Sequence, residues 1–161
     1  MEPLSEGFVE KTWQQIAKFT PDRVNKEMIA MGKSQPDLLA FLMAYTDDLQ
    51  QEVKELAIYI AFVVYKMFFD SSGKIPRISS KEIMDRYDEN ISLMESLEGA
   101  HEKFIDRIAR VQVSNQPYVM EYVLEALMED AEEDGIDLTE EDIGSLFMLF
   151  KTEIEVLEKR A

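Results

Sequence analysis

Apolar side chains recur at every third or fourth position through almost the whole chain, and the runs stop only where a proline, a glycine or a cluster of hydroxyl and carboxyl side chains stands. This spacing matches the 3.6 residues of an α-helical turn, not the strict alternation of a half-buried strand, so the chain is predicted to be all-α. Ser5 is placed to cap a helix to about Phe19, with Val9, Trp13 and Ile16 inward. Thr20-Pro21 then puts a capping hydroxyl before a proline at the first helical position. That second helix ends near Gly32.

Ser34-Gln35-Pro36 repeats the start signal and opens a helix with Leu38, Leu39, Leu42 and Met43 inward, broken at Thr46-Asp47-Asp48. From about Asp48 to Phe69 the chain is apolar almost all round after Glu55, which predicts a central core helix. Asp70 to Pro76 reads as a loop. Ser79 and Glu82 form a capping-box pattern, followed by Ile83, Tyr87, Ile91, Met94, Leu97, His101, Phe104, Ile108 and Val111, so one amphipathic helix is predicted from 80 to about 112. Asn115-Gln116-Pro117 starts another helix, Gly135 stands where a left-handed cap would fall, and Thr139 with Asp142 opens the last. The expected architecture is a compact bundle of six to seven helices in a single domain, 1–161.

A second grouping divides the bundle. Ser34 to Leu42 aligns without gaps to Asn115 to Val123, keeping Gln-Pro, an apolar pair and an aromatic in step, and Phe62, Val64, Tyr65 and Lys66 answer Phe147, Leu149, Phe150 and Lys151 further on. On this reading two related three-helix units, about 20–70 and 79–160, are joined by the loop 70–78. The competing account is that helix starts built on proline resemble one another. Two copies also fall short of what a solenoid needs, which favours a closed bundle.

Charge narrows the function classes. The net charge is −16, of which residues 114–161 carry −11 and the rest −5, so phosphate backbones are repelled and direct nucleic-acid binding is not expected. The skew suits either solubility or an unidentified basic protein partner. With no cysteine, disulfides, thiolate catalysis and cysteine zinc sites are excluded. The acidic start lacks the features of a secretory signal, and Leu56 to Phe69, interrupted by Lys66, is too short for a membrane span; a cytoplasmic location without membrane contact is the expectation.

Two carboxylate constellations are candidates for a cation. Asp130, Glu132, Asp134, Gly135 and Glu141 stand at positions 1, 3, 5, 6 and 12 of a helix-loop-helix calcium loop, although Glu at the third position and Asp137 where an apolar residue belongs depart from the pattern. The same residues also read as a helix end capped by Gly135, with Ile136 and Leu138 in the core. Glu98 and His101 match one Glu-x-x-His element of a carboxylate-bridged metal site, but such sites use it twice and His101 is the only histidine. No phosphate loop, nucleophile elbow or dinucleotide fingerprint occurs, and no cofactor is implied. Most of the ten methionines, Met43, Met67, Met94, Met120 and Met148 among them, lie on apolar stripes as core filler, a residue type also overused on adaptable grooves. The aromatic set Tyr59, Phe62, Tyr65, Phe68 and Phe69 covers more than one face of its helix and calls for shielding by neighbouring helices or by a homodimer. The leading functional reading is a non-enzymatic protein-interaction domain with an acidic C-terminal surface. A divalent-cation-binding protein and an acidic mimic of nucleic acid that occupies a basic protein are the alternatives.

Overall fold

The computed structural model describes residues 1–96 and 115–161; the expected stretch of helix from Leu97 to 112, with Glu98 and His101, lies outside them. Among the described residues there are seven helices and no strand: α1 (Glu6–Ala17), α2 (Pro21–Ser34), α3 (Pro36–Thr46), α4 (Gln51–Ser72), α5 (Ser80–Ser96), α6 (Pro117–Glu125) and α7 (Glu140–Arg160). The all-α bundle is therefore what the three-and-four rhythm demanded. None of these helices is long and apolar enough to cross a membrane.

Helix starts follow local chemistry. The Ser5, Thr20 and Thr139 hydroxyls each accept from the backbone N–H three residues on, and at α7 the Asp142 carboxylate returns the bond to the Thr139 N–H, completing the capping box. Ser79 caps the Glu82 N–H in the same way, but the Glu82 carboxylate turns instead to Arg160 at the far end of α7, so that box is only half made. Gly73 ends α4 and Gly135 ends the α6 segment, both at positive φ (76° and 73°), where a Cβ would be strained. The loop expected from Asp70 begins only at Gly73, because α4 keeps its helical bonds through Ser72.

Two long helices form the centre. α4 buries Ala57, Ile60 to Tyr65, Met67 and Phe68, and α7 buries an unbroken run from Leu146 to Ile154. α4 and α7 pack on each other, α1 covers α4, α5 covers α7, and α6 bridges α1, α4 and α7. A single apolar cluster draws residues from every helix. Of the aromatic residues of α4, Phe62, Tyr65 and Phe68 are buried by the chain's own helices, and Tyr59 and Phe69 pack half-buried on the same core.

The two Gln-Pro starts serve one purpose. Gln35 and Gln116 share an unusual backbone (φ −132°, ψ 65° and φ −125°, ψ 67°), both are buried, and neither side chain caps its own helix. Gln35 accepts from the Ile78 N–H (2.9 Å) and donates to the carbonyls of Ile75 and Pro76, holding the extended segment that leads into α5. Gln116 accepts from the Leu4 N–H (2.9 Å) and donates toward the Glu2 carbonyl, holding the segment that leads into α1. Each Gln-Pro start thus grips the run-in to a helix distant from it in sequence, α5 for Gln35 and α1 for Gln116.

Two expected faces are rotated. On α1 the buried positions are Val9, Thr12 and Ile16, and Trp13 is 37% exposed; on α3 they are Leu38, Phe41, Leu42 and Thr46, while Met43 is 42% exposed. Thr12 and Thr46 go inward because each hydroxyl donates to a carbonyl one turn back (2.8 Å), which satisfies it without water.

Candidate functional site

The calcium-loop candidates do not converge. Asp130 ends a π-helical turn (Ala126–Asp130) that continues α6, Glu132 lies in the closing turn Ala131–Glu133, Asp134 is the cap residue, and Glu141 belongs to the first turn of α7. Gly135 N–H to Glu132 O and Ile136 N–H to Ala131 O (2.8 Å) form the paired bonds of a left-handed helix end, and Ile136 and Leu138 pack on the core. Among the described residues no three His, Asp or Glu side chains are grouped to hold a metal ion.

Carboxylates gather instead at the seam of α1 and α6. Glu6, Glu10 and Trp13 follow helical spacing along α1, and Tyr118, Glu121, Tyr122 and Glu125 do the same along α6, so two matching stripes face each other. With Val9 they line a cleft of about 190 Å³ that holds four glutamates and, among the described residues, no lysine or arginine. The Trp13 and Tyr122 rings stack at its centre, 6.4 Å apart and 29° from parallel, and Trp13 and Tyr118 each keep about a third of their surface in water. The Glu125 carboxyl is held above its usual range, first by partial burial and then by the charges of Glu121, Glu129 and Asp130. Carboxylates crowded in this way gain when a cation arrives.

The seam between α3 and α5 is built differently. Tyr87 follows the α5 cap Ser79 as Trp13 follows Ser5, and Phe41 aligns with Tyr122 through the Gln-Pro starts. There Phe41, Tyr45 and Tyr87 close on one another with centroids 4.7 to 5.4 Å apart, and the Tyr45 hydroxyl reaches the Met84 sulfur. Met84 stands where α1 has Glu10, and Ala40 where α6 has Glu121. One seam is filled with rings and a thioether; the other is open and carries glutamates.

Behind Tyr122 lies a buried polar region. Its phenol is pushed well up, by burial first and then by the Tyr59 phenol and the carboxyl groups of Asp130 and Glu153. Glu153 on α7 is fully buried, neither carboxyl oxygen has a hydrogen-bond partner among the described residues, and desolvation holds its pKa well above the ordinary value. On another side of α7, Lys151 Nζ donates to Asn90 Oδ1 (2.9 Å) and to Glu155, and Asn90 Nδ2 donates to the Thr152 hydroxyl (3.0 Å), which satisfies those groups.

The charge skew over residues 114–161 includes Glu121 and Glu125 but does not single them out from the other carboxylates. The signal available was the interleaving of acid with aromatic at helical spacing on both α1 and α6, which an inward Trp13 conceals. Chemically the cleft offers ring faces and negative charge. No protein-family model, no curated protein and no solved structure matches this chain.

Proposed function

We propose that this chain is an interaction domain that takes a positively charged side chain of a basic partner into the α1–α6 cleft. The observation that carries the reading is the pairing of four glutamates with the exposed faces of Trp13 and Tyr118, in a cleft whose walls, among the described residues, hold no basic side chain. A cation over a tryptophan face gains about 0.5–1 kcal/mol when exposed and about 2 when desolvated. Arginine suits the cleft better than lysine, because its planar guanidinium lies flat on a ring while its N–H fork bonds a carboxylate on either side. The Trp13 and Tyr122 rings are too close for a guanidinium to slide between them, so the cation rests on the outer faces. The surrounding negative field raises the rate of encounter and makes binding fall with salt.

Trp13 is the only tryptophan, so its fluorescence reports on the cleft directly. An arginine-rich peptide titrated into the intact protein should shift the emission to saturation. Glu121→Lys with Glu125→Lys should weaken binding by at least about tenfold, the scale of an interface anchor. The matched control, Asp48→Lys with Glu52→Lys at the exposed start of α4, changes net charge equally and should leave affinity near that of the parent. Equal losses in the two double variants would mean that net charge alone attracts the peptide, and the reading fails. Calcium chloride in place of the peptide, with the same emission change, would assign the cleft to a metal ion instead.

A further inference from the structure

A second surface of opposite character lies on α2 and α3. Met28, Ile29 and Met31 from α2, Leu39 and Met43 from α3, and Phe62 beneath them line a groove of about 210 Å³ whose lining residues are all apolar. It is open to solvent: Ile29 is 53% and Met43 42% exposed, the pair standing among the few large apolar side chains the described residues leave uncovered. Gly32 keeps the floor narrow, since a Cβ there would come within 2.8 Å of the Leu39 side chain. Three methionines on one groove give it polarizable, unbranched walls that can reshape around different side chains.

The flank of this groove is basic, although the molecule is not. Lys26, Ile29 and Lys33 share one exposed face of α2 by helical spacing, and among the described residues no ion pair engages either lysine. Beside Ile29 lies a recess lined by Thr20, Asp22, Arg23, Asn25 and Lys26, with two basic side chains against one acidic. Residues 11–33 hold five basic side chains against two acidic ones, in a chain whose net charge is −16. We infer that the groove receives the apolar ridge of an amphipathic helix from another protein, one whose flanks carry Asp and Glu to meet Lys26 and Lys33. Concavity selects this occupant over an anionic membrane, which is entered by side chains that protrude rather than by a recess. A second copy of this chain is a poor occupant, because the other exposed large apolar residues, Met1, Trp13, Tyr45, Leu93 and Tyr118, lie on separate elements and make no ridge among the described residues.

The test is a selection from displayed random peptides of about 16 residues, roughly four helical turns, on the intact protein, with binding of the enriched peptides then measured by fluorescence anisotropy. The enriched peptides should carry apolar residues at i, i+3 or i+4, and i+7 and a net negative charge. Ile29→Glu and Met43→Glu, at exposed positions and checked for unchanged helical dichroism, should each weaken binding about tenfold or more, and Lys26→Glu with Lys33→Glu severalfold with a flatter salt dependence. Enrichment of basic or unpatterned peptides, no enrichment, or binding indifferent to Ile29→Glu and Met43→Glu would overturn the inference. So would either rival occupant: a dimer in sedimentation that dissociates on Ile29→Glu, or sedimentation of the protein with phosphatidylserine vesicles that is lost with the same substitution.

Discussion

Glu153 keeps both carboxyl oxygens away from water and from any donor among the described residues, in the unbroken buried run of α7. An unsatisfied buried polar group of this kind costs about 1–3 kcal/mol. Glu153→Met, of similar length and apolar, should therefore raise stability by an amount in that range, seen as a higher urea midpoint. The pH dependence carries the same signature. The folded carboxyl holds its proton above 4.5, where the unfolded one releases it, so the native state binds more protons and stability falls as pH rises. For this one group the slope is about 1.4 kcal/mol per pH unit, from the unfolded value up to the folded one. Urea melts at a series of pH values rising from the ordinary carboxylate range should show a descending contribution in the parent that is missing in Glu153→Met. An unchanged slope would show that Glu153 is ionised in the fold and paired.

At the scale of elements, Gln35 and Gln116 stand apart from the ordinary caps. Gln35→Ala leaves the Ile78 N–H and the Ile75 and Pro76 carbonyls without their partner where water has little access, and should destabilise by about 2–4 kcal/mol. Thr139→Ala, which removes one exposed cap, should cost only about 1 kcal/mol. Thermal or urea denaturation of the two variants checks the ranking. Helix type, order and most ends were legible in the sequence, because Thr20-Pro21, Gly73, Gly135 and Thr139-Asp142 act through contacts within a few residues of themselves. The orientation of α1 and α3 was not, since periodicity treats Thr12 and Thr46 as polar while the fold lets each hydroxyl bond one turn back. The α1–α6 cleft was hidden for a related reason: it joins residues more than a hundred positions apart, and Trp13 reads as core until its neighbours are known. The Gln-Pro motif was visible as a repeated pattern, yet its use was not, because the segments it grips lie far from it in sequence.

For the molecule as a whole, charge and apolar exposure separate by location. Acid and aromatic faces meet between α1 and α6, while lysines flank the methionine groove on α2 and α3. A net −16 on a chain of this size repels itself, so moderate sodium chloride should raise the melting temperature, even as it weakens a basic peptide bound at Trp13. The crossed grips of Gln35 and Gln116 bear on how the chain becomes a folded object at all. Residues 2–4 are fastened to the start of α6, and residues 75–78 to the start of α3, so the stretches before and after Gly73 each hold hydrogen-bonding groups whose partners lie in the other. Severed in the turn after Gly73, the two fragments would each be left incomplete and largely unfolded, yet mixed together they should reassemble by complementation, the way two clasped hands close only as a pair.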